Sequence, residues 1–106
     1  MSSAIVLNLL NSIPMQSWTF IPEEVIRIGR ATDNNVILFS AVVSRHHVEF
    51  RWSADGWQVV NISSNGTYLN GEAIKKIVLV DGMILRLATS GPKIQVKFVE
   101  LVPETP

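Results

Sequence analysis

Turn chemistry interrupts this chain about every ten residues, and no stretch between two turns sustains a helical period. The interruptions are Asn11-Ser12-Ile13-Pro14, Pro22-Glu23-Glu24, Asp33-Asn34-Asn35, Ser53-Ala54-Asp55-Gly56, Asn65-Gly66, Asn70-Gly71, Asp81-Gly82 and Thr89-Ser90-Gly91-Pro92. Such residues fix φ, admit positive φ or hydrogen-bond their own backbone, so they end regular structure. Between them, residues 4–10, 16–21, 25–28, 36–38, 47–52, 57–62, 83–88 and 93–102 read as strands. In 47–52 the alternation puts Val48, Phe50 and Trp52 on one face and His47, Glu49 and Arg51 on the other. In 93–102 it sets Ile94, Val96 and Phe98 against Gln95, Lys97 and Glu100. Asn65-Gly66 and Asn70-Gly71 both carry the type I′ signature. They leave only Thr67, Tyr68 and Leu69 for a brief extended piece, and residues 72–76 continue at the surface. Residues 39–43 are apolar without a strand pattern, which predicts a loop partly covering the core. The chain is all-β, and short strands at this spacing suggest a β-sandwich or barrel. Loops of such folds gather at the ends, where binding residues sit.

With 106 residues, 47% hydrophobic and 17% charged, the chain is one globular domain, 1–102, with 103–106 (Pro103-Glu104-Thr105-Pro106) as a tail or the start of a linker. Nine basic residues balance nine acidic ones, against the basic excess that non-specific binding to nucleic acid or an anionic membrane needs. There is no cysteine, which excludes disulfides, thiolate zinc sites and cysteine nucleophiles. The apolar run 4–10 is too short to span a bilayer and has no basic flank, so a soluble, cytoplasmic domain is the expectation. The Asn61-Ile62-Ser63 and Asn65-Gly66-Thr67 glycosylation patterns carry little weight beside it.

Three segments hold the candidate chemistry: Gly29-Arg30, Ser44-Arg45-His46-His47, and the stretch from Ser63 to Gly71. They supply guanidinium forks, hydroxyls, a carboxamide and turn backbone, the groups that hold a phosphate. Each also has a plainer reading. Arg30 alone fits a solvated strand-end arginine, Ser44 a turn cap, Arg45 a surface ion-pair partner, and Ser63 local turn bonding. Asn65 serves a turn and a ligand at once. His46 and His47 are adjacent on extended chain and point to opposite faces, so they do not share a metal, and no metal site is expected. His47 fits a buried hydrogen-bonded brace and His46 an exposed side chain. Trp18, Trp52 and Trp57 read as packing groups and Met83 as core filler.

From Ile28 to Leu87 the chain resembles a forkhead-associated (FHA) domain. The resemblance rests on Gly29-Arg30, on Ser44-Arg45 followed by His47, on Asn65-Gly66-Thr67, on Asn70-Gly71 and on Asp81-Gly82 before a last apolar strand, in that order and spacing. It implies an all-β sandwich of two sheets, FHA/SMAD-like, with about eleven strands and its binding loops at one end. It also implies a module that recognises phosphothreonine in an extended segment of a partner protein, as a monomer and without cofactor or catalysis. The partner would be another protein or a phosphorylated tail of the module's own parent. By the same resemblance Arg30, Ser44, Arg45 and Ser64 would contact the phosphate and Asn65 the peptide backbone. Gly29, His47, Gly66, Thr67, Asn70 and Gly71 would shape the loops. The sequence departs from the family pattern at residues 39–43, which lack an Asp-Pro type turn. Asn61 stands where Asp is common, and Met83 and Ala88 replace an acidic residue and a glycine.

Two other readings bear on the same residues. One is a phospho-independent interaction module on the same fold. The other is a hydrolase using Ser44 and a neighbouring histidine. The hydrolase lacks support in sequence, since Gly-x-Ser-x-Gly, His-Glu-x-x-His and Gly-x-x-x-x-Gly-Lys are all missing.

Overall fold

The computed structural model describes residues 3–21 and 25–100. The turn expected at Pro22-Glu23-Glu24 and the tail expected at 103–106 lie outside the described residues. Eleven strands follow in order: β1 (Ser3–Leu9), β2 (Gln16–Phe20), β3 (Val25–Gly29), β4 (Val36–Ile37), β5 (Val48–Ser53), β6 (Gly56–Asn61), β7 (Thr67–Leu69), β8 (Glu72–Ala73), β9 (Lys76–Val78), β10 (Ile84–Leu87) and β11 (Lys93–Glu100). They form a six-stranded sheet, β2-β1-β11-β10-β7-β8, and a five-stranded sheet, β4-β3-β5-β6-β9. The two-sheet sandwich expected from the sequence is therefore present.

Alternation builds the core between the sheets. Ile5 and Leu7 of β1, Leu85 and Leu87 of β10, and Ile94 and Val96 of β11 point inward from one sheet. Ile26 and Ile28, Phe50, and Trp57 and Val59 meet them from the other. Each such side chain contributes roughly 1.5–3 kcal/mol on leaving water. The pairing is antiparallel throughout except for β3 with β4, where Ile28 faces Val36 and Gly29 faces Ile37. Residues 30–35 make that return, held by Asn35: its N–H donates to the Arg27 carbonyl at 2.9 Å and its Oδ1 accepts from the Arg27 N–H at 2.8 Å.

Several expectations need correction. β5 begins at Val48 rather than at His47, which lies just before the strand and is buried, as a brace should be. Trp52 does not continue the core row of Val48 and Phe50. It is 46% exposed at the far end of the strand and packs edge-on against its cross-strand partner Trp57, ring centres 5.4 Å apart. Residues 72–76 stay at the surface as expected, but they also carry β8 and the start of β9. Of the two expected type I′ turns only one forms: Asn70 (φ 51°) and Gly71 (φ 82°) close the β7–β8 hairpin, whereas at Asn65-Gly66 only the glycine has positive φ. In the apolar loop, Val43 joins the core but Phe39 is 80% exposed.

Candidate functional site

Strand register brings the three candidate segments to one end of the sandwich. Val48, the first residue of β5, faces Ile28 near the end of β3 and Asn61 at the end of β6. The loops at 30–35, 38–47 and 62–66 therefore leave the five-stranded sheet together. Backbone bonds then lock the first two: the Arg30 N–H donates to the Ser44 carbonyl and the Ala31 N–H to the Arg45 carbonyl, each at 3.0 Å. Gly29 is required there, because a Cβ would lie 2.3 Å from the Arg45 carbonyl oxygen.

His47 joins the second and third loops. Its Nδ1 accepts from the Ser44 N–H at 3.0 Å, and its Nε2 lies 2.7 Å from the Gly66 carbonyl oxygen. An acceptor at Nδ1 and a donor at Nε2 describe the neutral imidazole. Burial holds its pKa below the ordinary 6.5, against a smaller opposing pull from the Gly66 carbonyl. The brace expected at His47 is what the structure shows.

The third loop is wound around Asn61. Its Oδ1 accepts from the Ser63 N–H, from Ser63 Oγ at 2.7 Å and from Thr67 Oγ1 at 2.9 Å, while its Nδ2 donates to the Ser63 carbonyl. An aspartate would lack that last donor. Ser63 Oγ in turn accepts from the Gly66 N–H, so Ser63 is used up in the turn and Thr67 is buried. Asn65 and Ser64 remain exposed above it. Asn65 Nδ2 donates to the Val42 carbonyl at 2.9 Å and so ties this loop to the apolar one. Its Oδ1 makes no hydrogen bond among the described residues.

The cations sit in the loops thus fixed. Arg30 Nε donates to the Val43 carbonyl at 3.1 Å, which aims the guanidinium and leaves its two Nη groups for a ligand. Among the described residues, no carboxylate pairs with Arg30 or Arg45. Together with Ala31, Thr32, Asp33 and His46 they line an open depression of about 530 Å³. Asp33 is the one acid in this lining, and His46 Nε2 engages it at 2.9 and 3.0 Å. That hydrogen bond, first among the causes, lowers the Asp33 pKa from 3.8. Asp33 therefore stays ionised, bound to His46 rather than to either guanidinium group.

The structure thus gathers Arg30, Ser44 and Arg45 in one locked pair of loops, with Ser64 and Asn65 on the adjoining loop. Asn70 and Gly71 shape the β7–β8 hairpin rather than these loops. Sequence reasoning missed Asn34, which is buried and donates from Nδ2 to the carbonyls of Ala31 and Arg45 at 2.7 and 2.8 Å. It also missed the carbonyls of Val42 and Val43 as anchors. Nothing in an apolar run signals that its backbone oxygens will orient an arginine and an asparagine.

Comparison with known proteins agrees with this fold. A family model described as the FHA domain matches residues 26–88. An oxoglutarate dehydrogenase inhibitor from Corynebacterium jeikeium is 41% identical over 61 residues, covering 57% of this chain and 42% of that protein. The glycogen accumulation regulator GarA of Mycolicibacterium smegmatis is 44% identical over 55 residues, covering 51% and 35%. The chain therefore spans less than half the length of these relatives. Among solved structures, one determined for phosphothreonine-dependent FHA domain interactions superposes with a TM-score of 0.82 at 28% identity, over 92% of this chain and 99% of that one. The FhaA FHA domain complexed with the intracellular domain of Rv3910 gives 0.77 at 29% identity, over 88% and 99%.

Proposed function

Since the chain belongs to the forkhead-associated (FHA) domain family, we propose that it reads phosphothreonine in an extended segment of a partner protein and recruits that partner without turnover. The observation that carries this reading is the pair of guanidinium groups, Arg30 and Arg45, held on bonded loops over a depression whose only carboxylate is already engaged by His46. A phosphothreonine brings a charge near −2 and three acceptor oxygens. Two Nη groups of Arg30 offer parallel donors to such oxygens, and Arg45 adds a second charge. Ser44, next to Arg45 in the chain, and exposed Ser64 on the adjoining loop supply hydroxyls. The free Oδ1 of Asn65 suits a peptide N–H, while its amide nitrogen is committed to Val42. Exposed Phe39, on the loop that carries Ser44, offers apolar surface to residues flanking the phosphothreonine.

The test is a degenerate phosphothreonine peptide library screened on the wild type, followed by calorimetric titration of the selected peptide. Arg30→Ala removes a charge-assisted contact of about 1.5–3 kcal/mol, so affinity should drop about ten- to a hundredfold. The unphosphorylated peptide should bind the wild type more weakly still, because it loses the Arg45 and hydroxyl contacts as well. Unchanged affinity in Arg30→Ala, or equal binding with and without the phosphate, sinks the proposal.

A further inference from the structure

The outer face of the six-stranded sheet carries cations that pair with no carboxylate among the described residues. Arg86 of β10 stands directly opposite Lys93 of β11 on one side and Tyr68 of β7 on the other. Side chains so placed have Cβ atoms about 5 Å apart, and like charges at that spacing repel. Inward-facing Leu85, Leu87, Ile94 and Val96 fix the alternation, so Arg86, Lys93 and Lys97 all point outward. No Asp or Glu of the six strands shares that face: Glu72 pairs with inward-facing Leu69, and Glu100 continues the Ile94 row. The other sheet treats its cations differently. There Glu49 takes Arg51 at 2.8 Å and Arg27 at 3.6 Å.

Arg86 is also underused. Among the described residues, its Nε is buried with no hydrogen-bond partner, and its Nη1 makes only a 3.5 Å contact to the Thr89 carbonyl. With Lys93 it lines a groove of about 460 Å³ that Tyr68, Asn70 and Ile84 help to close. Tyr68 connects this groove to the phosphate-facing loops: its hydroxyl lies against Gly66, 2.8 Å from where a Cβ would stand. A chain leaving those loops by way of Gly66 and Tyr68 meets two cations next.

We propose that this groove is a second subsite, which takes acidic side chains of the same partner that presents the phosphothreonine. It deepens the phosphothreonine reading and rests on it for the identity of the ligand. Carboxylates suit the groove because it is concave and holds two charges, unlike the extended basic stripe that nucleic acid requires. The chain as a whole has no net positive charge to attract a polyanion.

The experiment uses three peptides at low ionic strength: a short phosphothreonine peptide, the same peptide extended by an Asp/Glu tract on either side, and the tract alone. The extension should tighten wild-type binding about tenfold, as two such pairs allow. Amide shifts should report at Tyr68, Ile84 and Lys93. Lys93→Gln removes a side chain that makes no hydrogen bond among the described residues, so it tests the groove without risk to the fold. It should lose part of the gain, and the pair Arg86→Gln with Lys93→Gln should lose all of it, while the short peptide binds wild type and variants alike. A gain that survives in the double variant overturns the proposal, as does no gain in the wild type or shifts on another face. Tighter binding of an oligonucleotide or of anionic vesicles, lost in the same variants, overturns it in favour of that ligand class. If the short peptide fails to bind but the extended one binds the wild type and not the double variant, the groove assignment stands and the phosphothreonine reading falls.

Discussion

Ala88 holds φ at 65°, a conformation that costs an L-residue roughly 1–2 kcal/mol. The cause is a bond: its N–H donates to the Gly66 carbonyl at 2.8 Å. The same oxygen faces His47 Nε2, so both of its lone pairs are spent on scaffolding. The backbone beneath the third loop is thereby fixed at the expense of strain at a residue where glycine would have none. Glycine loses more chain entropy on folding, about 0.5–1 kcal/mol relative to alanine, which offsets part of the relief. Ala88→Gly should therefore stabilise the domain by about 0.5–1 kcal/mol in urea unfolding, with phosphopeptide affinity unchanged. A loss of stability would mean that the buried methyl outweighs the strained φ.

At the scale of elements, the apolar loop before β5 is set by its neighbours. Val43 anchors it in the core, the Val43 N–H donates to the Ser40 carbonyl, and Asn65 holds Val42 from across the site. Asn65→Ala removes one exposed hydrogen bond, so stability should fall by only about 0.5–1.5 kcal/mol. Affinity for a phosphothreonine peptide should fall by tenfold or more, because the ligand contact and the tether are lost together. Hydrogen exchange at the Val43 amide should quicken in the same variant. Unchanged exchange would show that the loop stands without the tether. This loop marks where the sequence stopped being legible. Long strands such as β1 and β11 announced themselves through alternation against a core. β8 and β9 have two and three residues and exist only through pairing with β7 and β6, which no local pattern encodes. Asn70-Gly71 took the turn its composition favours, since nothing but the hairpin acts on it. Asn65-Gly66 did not, because the contacts of Asn65 with Val42 and of Gly66 with Ser63, His47 and Ala88 override the local preference. Arg30, Ser44 and Arg45 could be placed from their motifs, but Asn34 and the Val42 and Val43 carbonyls became visible only with the loops in contact.

Across the whole molecule His47 is the clamp between the two sheets. Its main chain bonds Ile28 and Ile62 of the five-stranded side, and its ring reaches Gly66, whose carbonyl also holds the end of β10 through Ala88. Protonation would place a second N–H at Nδ1, facing the Ser44 N–H that now donates to it. The native state therefore refuses a proton that the unfolded chain accepts, in keeping with a pKa held below 6.5 by burial. Between that lowered value and 6.5 the unfolded chain binds more protons, so stability falls as pH drops below about 6.5 and levels off once the native imidazole also titrates. The Asp33 carboxyl acts in a separate window, because its pKa is lowered from 3.8 by His46: its contribution is present above 3.8 and is lost at more acidic pH. In a His46→Gln background, where His47 is the sole imidazole, urea midpoints should drop from pH 7.5 to 5.5. Adding His47→Gln should lower stability at pH 7.5, since it leaves the Ser44 N–H and Gly66 carbonyl imperfectly paired. It should also flatten the dependence between those two pH values. A decline of equal slope in both backgrounds would place the acid sensitivity elsewhere. If the slope follows His47, mild acid loosens the loops that carry Arg30, Arg45 and Asn65, and phosphopeptide affinity at pH 5.5 should weaken in parallel with stability.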